Sequence, residues 1–174
     1  PTIAGWSVDI NHFYDPKAGI LYLGNGERRS ATQMPMVMQT VAGGGTRQLQ
    51  EGCPAKDVAF DTIQGMSVGP DGSIYMALKH SIWKIDGDGL LRIIAGGEQK
   101  GFSGDGGAAI NALLDTPCLL TFGNNDTLYF YDSGNFRIRY IDREGHINTF
   151  ASEVYIEPQN GKIAIAPDGS IYSL

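Results

Sequence analysis

Short apolar runs alternate with clusters of Gly, Asp, Asn and Pro along most of this chain. The runs at 63–68, 73–77, 81–85 and 90–95 show the pattern best, and each is five or six residues long. That is strand length rather than helix length. Gly69-Pro70-Asp71-Gly72 separates the first two runs. Pro presets φ there and Gly accepts a positive φ, which predicts a tight turn. Asp86-Gly87-Asp88-Gly89 separates the last two and predicts a hairpin turn. No segment carries a useful 3.6-residue apolar period, and the best candidate for a helical turn is 108–114.

The pattern repeats. Residues 51–77 and 105–131 align without a gap at an offset of 54, so that Gly52, Ala55, Asp61, Thr62, Gly69 and Tyr75 meet Gly106, Ala109, Asp115, Thr116, Gly123 and Tyr129. Residues 85–97 resemble 141–152 at an offset of 56, which places a two-residue insertion between them in the later copy. Upstream, Gly19-Ile20-Leu21-Tyr22 matches Gly72-Ser73-Ile74-Tyr75, and Ala42-Gly43-Gly44 matches Ala95-Gly96-Gly97. Downstream, 166–172 matches 69–75. Such a period signals stacked copies of one supersecondary unit. Four short antiparallel strands per copy describe a propeller blade. The expectation is an all-β propeller segment: three four-stranded antiparallel blades near 6–43, 59–97 and 113–151, and a partial fourth near 154–174. Tyr22, Tyr75, Tyr129 and Tyr172 should share the second-strand position.

Composition sharpens this. Glycine supplies 24 of 174 residues, well above the usual ~7%. The net charge of −6 argues against a nucleic-acid partner, which needs a basic stripe. Arg28-Arg29 and the pair Arg137 and Arg139 read as solvated faces. No apolar stretch approaches the ~18 residues of a membrane span. The chain opens with Pro1 rather than an initiator Met and carries no secretory leader, so it is expected to be an excerpt of a longer chain.

The segment 101–117 (GFSGDGGAAINALLDTP), followed by 128–142 (LYFYDSGNFRIRYID), resembles the NHL-repeat β-propeller family. Asn135-Phe136-Arg137 stands where that family has Asn-His-Leu; the His and Leu are missing here, and the earlier copies depart further. Residues 5–31, with Gly5-Trp6, His12, Tyr14-Asp15-Pro16, Leu21-Tyr22 and Arg28-Arg29, are similar to the opening of the NHL propeller in teneurin-like bacterial proteins of the RHS/YD-repeat class. The resemblance implies an NHL-type propeller within a large surface or secreted protein. It also implies an extracellular or cell-surface location.

The chemistry is sparse. Some NHL relatives are zinc lyases that use channel histidines, but His12, His80 and His146 fall at different depths of different blades without an HxH or HxxH pair. No metal and no cofactor are expected. The Asp-Gly and Asn-Asp turns could suggest calcium, yet they are isolated, and turn chemistry explains them. Gly104-Asp105-Gly106-Gly107 lacks the Lys-Ser/Thr of a phosphate loop. Cys53 and Cys118 occupy different repeat positions, and free thiols are the preferred reading over a disulfide. No nucleophile elbow or other catalytic constellation occurs. The best candidates for a ligand face are Asp61, Thr62, Asp115 and Thr116, which precede the inner strands and would lie near a channel mouth. Against that, the same residues would tie one blade to the next.

The expected function is therefore non-enzymatic: a structural or interaction module of a larger RHS/teneurin-like protein. A metal-dependent lyase or lactonase-like hydrolase using the channel is one alternative, and an extracellular small-ligand sensor is another. The expected partner is another protein or the remaining blades of a longer chain, with no nucleic acid and no membrane. A count of three and a fraction blades leaves open edges, so homo-oligomers through blade edges are also expected.

Overall fold

The computed structural model describes residues 40–158, 161–166 and 168–173, together with the backbone of three upstream strands. Those strands are β1 (His12–Asp15), β2 (Ile20–Leu23) and β3 (Arg28–Ser30), paired in that order. Two complete sheets follow. The first holds β4 (Ile63–Val68), β5 (Ile74–Leu78), β6 (Ser81–Ile85) and β7 (Leu91–Gly96). The second holds β8 (Pro117–Phe122), β9 (Leu128–Asp132), β10 (Arg137–Ile141) and β11 (Ile147–Ser152). Each is an antiparallel meander in sequence order. β12 (Ile163–Ile165) and β13 (Ile171–Ser173) pair as a two-stranded sheet. The rest of the first expected blade, including any fourth strand within 31–39, lies outside the described residues.

The sheets stack face against face, with β4 beside β8 and β8 beside β12. Ala77, Ile82 and Ala95 of the first sheet pack with Leu120, Leu128, Phe130, Ile141 and Ile147 of the second. Beyond the second sheet, Cys118, Tyr131 and Ile138 pack on Ile156 and Ile163. A strand buried on both faces needs apolar residues throughout rather than in alternation. This is why β5 reads as an unbroken run, IYMAL, while β6, SIWKI, is interrupted by Ser81 and Lys84. Gly65 lets the inner strands approach: a Cβ there would stand 3.0 Å from the Leu119 amide nitrogen.

The turns follow the repeat. Gly72 takes φ +79° and donates its amide to the Gly69 carbonyl at 2.9 Å. Asp86 and Asp142 close equivalent hairpins, receiving the amides of Gly89 and Gly145 on their carbonyls. The four tyrosines lie in β2, β5, β9 and β13, each the second strand of its sheet. The expected helical turn shrinks to a 3-10 turn at Ala109–Asn111, with a counterpart 54 residues earlier at Ala55–Asp57. The two-residue insertion lies between β9 and β10, where a wider loop holds a 3-10 turn at Ser133–Asn135.

The segments between sheets protect the outer edges. Gly52 donates its amide to the Leu91 carbonyl at 2.7 Å, and Leu91 returns one to Cys53 at 2.9 Å. Gly106, Ile147 and Gly107 repeat the exchange at 2.8 and 2.9 Å. Each segment thus adds backbone bonds along the outer strand of the sheet that follows it, which blunts an edge that would otherwise template aggregation.

Two predictions arise here. Gly96 holds φ +71°, and a Cβ would collide with the His80 carbonyl oxygen. Gly96→Ala should destabilise the protein by about 2–3 kcal/mol in urea unfolding, from combined strain and clash. The second concerns acid. Partial burial pushes the Asp71 carboxyl up, but the Lys84 ammonium and the Ser73 amide and hydroxyl outweigh it and hold it below its ordinary value. The Leu90 amide, with Arg92, does the same for Asp86, and the Ser170 amide for Asp168. A lowered folded pKa gives stability that is present above the unfolded value and lost as pH falls through the folded one. The melting temperature should hold between pH 7 and 5 and fall below about pH 4. Asp71→Asn should flatten that fall.

Candidate functional site

Asp115 and Thr116 enter β8, and Asp61 and Thr62 enter β4, as their repeat positions require. Their surroundings differ. Asp61 and Thr62 are exposed. Asp115 and Thr116 are half-buried at a junction of three segments. The Thr116 amide donates to the Lys79 carbonyl of the preceding sheet at 3.1 Å, with Thr116 held at φ +56°. The Thr116 carbonyl accepts the Ser133 hydroxyl at 2.7 Å, and the Asp115 carbonyl accepts the Gly134 amide at 2.9 Å. A Cβ on Gly134 would strike the Asp115 side chain. The Asp115 carboxylate accepts the Thr116 hydroxyl at 3.1 Å and lies 3.5 Å from His80 Nδ1 and 3.8 Å from Lys100 Nζ. The four candidates therefore do not form one constellation: the second pair is built into the junction between sheets, and the first is open.

The polar centre of this end is one the sequence reading missed. Arg139 on β10 and Asp132 on β9 are both 0% exposed, with Nη1 3.3 Å from the carboxylate. Arg139 Nη1 also donates to the Leu113 carbonyl at 3.1 Å, and Nη2 donates to the Ser103 carbonyl and to Asp105 at 2.8 Å each. Asp105 in turn accepts the Thr149 hydroxyl at 2.7 Å. The Asp132 carboxylate accepts the Asp115 amide at 2.8 Å and the Asn135 side-chain amide at 2.9 Å. Asn135 also donates to the Gly101 carbonyl at 2.8 Å. Phe102 lies against the Arg137 and Arg139 guanidinium groups, at 4.2 and 4.9 Å from ring centre to carbon.

This corrects the expectation that Arg137 and Arg139 form a solvated face: Arg139 is fully enclosed. A buried and a solvated arginine look alike in one sequence. The available signal was the alignment, because Arg139 falls 56 residues after Trp83, and Asp132 falls 54 after Leu78. Leu78 and Trp83 are buried in an apolar cluster with Met76, Ile85 and Val58. One copy thus fills the position with an ion pair and the other with a hydrocarbon pair.

Burial pushes the Asp132 carboxyl up, against the hydrogen bonds of Asn135 and the Asp115 amide and the charge of Arg139. The sign is opposite to that of Asp71. This group favours folding below the ordinary carboxyl range, and that advantage is lost as pH rises through the folded value. Ionised Asp132 thus carries a burial cost that Arg139 reduces without cancelling.

His80 is buried at the β5–β6 turn, and His146 is exposed at the β10–β11 turn. His12 lies on β1, whose side chains are outside the described residues. Among the described residues no group of three His, Cys, Asp or Glu side chains converges. Cys53 and Cys118 are free thiols, and burial pushes Cys118 up to about 11, far from a reactive thiolate. An open groove of 360 Å³ lies on the other face of the first sheet and is lined by Met66, Ile74, Met76, Phe60 and the glycines 43–45. It is apolar and holds none of the candidate residues.

Comparison with known proteins adds the following. No family model matches the chain. Mouse teneurin-1 is 34% identical over 79 residues, covering 42% of this chain and 3% of that protein. Zebrafish teneurin-3 is 27% identical over 209 aligned positions, covering 84% of this chain and 8% of that protein. The chain therefore spans less than a tenth of the length of these relatives. Among solved structures, virginiamycin B lyase from Staphylococcus aureus matches with a TM-score of 0.41 and 17% identity, over 62% of this chain and 32% of that one. A streptogramin B lyase matches with the same score and identity, over 63% and 39%. The chain is thus similar in sequence to a short segment of teneurins.

The buried pair yields a prediction. Asp132→Leu alone should cost about 3–5 kcal/mol, because it leaves the Arg139 charge enclosed without its partner. Adding Arg139→Trp, which transplants the Leu78–Trp83 arrangement, should recover about half of that loss. Urea unfolding of the two single variants and the double variant measures the coupling.

Proposed function

We propose that this chain is a non-enzymatic structural and interaction module of a larger teneurin-like protein, located outside the cell or at its surface. Sequence similarity to teneurins over most of the chain supports the setting. The non-enzymatic reading rests chiefly on Asp115. It is the most enclosed acid of the four nominated residues, and its carbonyl, amide and carboxylate all engage neighbouring segments. A general acid or base has to present its carboxyl to a substrate. This one faces the β9–β10 loop, His80 and Lys100.

The reading makes a direct prediction. Purified protein should give no turnover above buffer on ester, lactone and cyclic depsipeptide substrates, with or without added divalent metal. Beads coated with it should bind cells or one another above the level of uncoated beads. Turnover that scales with protein concentration and vanishes in His80→Ala or Asp115→Ala, with the circular dichroism spectrum unchanged, would overturn it.

A further inference from the structure

Among the 174 residues one Asn-x-Ser/Thr tripeptide occurs, Asn125-Asp126-Thr127. This is the acceptor pattern for N-linked glycosylation, which calls for an exposed loop in a protein that passes through a secretory pathway. The fold supplies the loop. The tripeptide spans the turn between β8 and β9, and Asn125 and Asp126 are exposed there.

This turn is built differently from its counterparts. In the aligned turns the fold uses the acid side chain. The Asp71 carboxylate accepts the Ser73 amide at 3.1 Å and the Lys84 ammonium at 2.6 Å, and the Asp168 carboxylate accepts the Ser170 amide at 2.9 Å. Asn125 occupies the position of Asp71, and Tyr140 that of Lys84. Here the backbone makes the bend. Asn125 and Asp126 hold φ +58° and +60°, the pair of left-handed residues that a type I′ hairpin turn requires. The Thr127 amide donates to the Asn124 carbonyl at 3.4 Å, and the Gly123 amide to the Thr127 carbonyl at 2.9 Å. Among the described residues no hydrogen bond or ion pair engages the Asn125 side chain. Its amide is exposed and unused by the fold.

The surroundings leave room for a sugar. An open groove of 270 Å³ adjoins the turn and is lined by Tyr75, Phe122, Asp126 and Arg143, among others. The two rings meet edge to face at 4.9 Å. They offer an apolar face to a first sugar, and the charged groups offer partners for its hydroxyls. The turn also lies at the end of β8 and β9 away from Asp115 and the β9–β10 loop, so an oligosaccharide there leaves the junction between sheets untouched.

We propose that Asn125 is an N-glycosylation site. Asn125 Nδ2 attacks the anomeric carbon of an oligosaccharide carried on a lipid pyrophosphate. A C–N bond forms, the C–O bond to the phosphate breaks, Nδ2 gives up a proton, and the lipid pyrophosphate leaves. The Thr127 hydroxyl marks the acceptor for the transferase. The proposal rests on the extracellular setting inferred above, which takes the chain through a secretory pathway.

The test expresses the full chain behind a cleavable secretory leader in cultured animal cells and reads the intact mass of both secreted and cell-retained protein. Most molecules should carry the added mass of one oligosaccharide. Peptide N-glycosidase, which hydrolyses the bond between sugar and asparagine, should remove it and leave a carboxylate at position 125. Asn125→Gln and Thr127→Ala should each abolish the added mass, and Thr127→Ser should keep it. A variant that folds poorly is still read in the cell-retained pool. An unmodified mass for the native sequence in both pools, or an added mass that survives Asn125→Gln, would overturn the proposal. The leader supplies entry to the pathway, so the outcome concerns the site alone. Turnover and bead binding are measured on protein made without oligosaccharide, and failure there overturns the module reading without touching this one.

Discussion

An enclosed guanidinium organises the second sheet of this protein. Arg139 reaches from β10 to the carbonyls of Ser103 and Leu113 and to the carboxylates of Asp105 and Asp132. It thereby fixes the incoming segment, residues 101–114, against the sheet that segment will enter. Removing a charge of this size from water costs several kcal/mol, and the four acceptors on Nη1 and Nη2 offset it although Nε has no partner. The acceptors are main-chain carbonyls and acids from separate segments, so the guanidinium is stable only when all of them are in place. Geometry at the Asp115 junction depends on this. The Asp115 amide is held by Asp132, the partner of Arg139, so the β8 entry and the β10 charge belong to one network.

The preceding sheet shows that the fold does not require this solution. Leu78 and Trp83 occupy the same two positions and bury the same region with hydrocarbon, while the Trp83 indole N–H finds the Ser81 hydroxyl at 2.9 Å. Glu51, aligned with Asp105, is exposed there. The backbone of the incoming segment is nonetheless the same in both copies, with matching 3-10 turns and matching amide exchanges with the outer strand. The shared constraint is thus the backbone route. The side chains that lock it are free to vary as sets, and a set must change together: a lone Arg among Leu78 and its neighbours would be an unpaired buried charge.

This division explains what was legible in the sequence. Backbone routes write themselves in Gly, Pro, Asp and Tyr at fixed spacing, so the turns at 69–72, 86–89 and 142–145 and the second-strand tyrosines could be read directly. The strand edges at 63–68, 73–77, 81–85 and 90–95 fell within a residue because each run is mostly apolar and is bounded by turn residues. Side-chain locks are different. Arg139 is one of several charged residues near 137–144, and nothing local distinguishes it from Arg143, which is exposed. Its burial is decided by Ser103, Asp105 and Leu113, some 26 to 36 residues away. The positive φ of Thr116 was equally hidden, since a β-branched residue is a poor indicator of that conformation. The candidates Asp61, Thr62, Asp115 and Thr116 were found by repetition, and repetition marks positions that every unit uses. It does not fix their surroundings: Asp115 and Thr116 sit in a junction between sheets, while Asp61 and Thr62 are exposed.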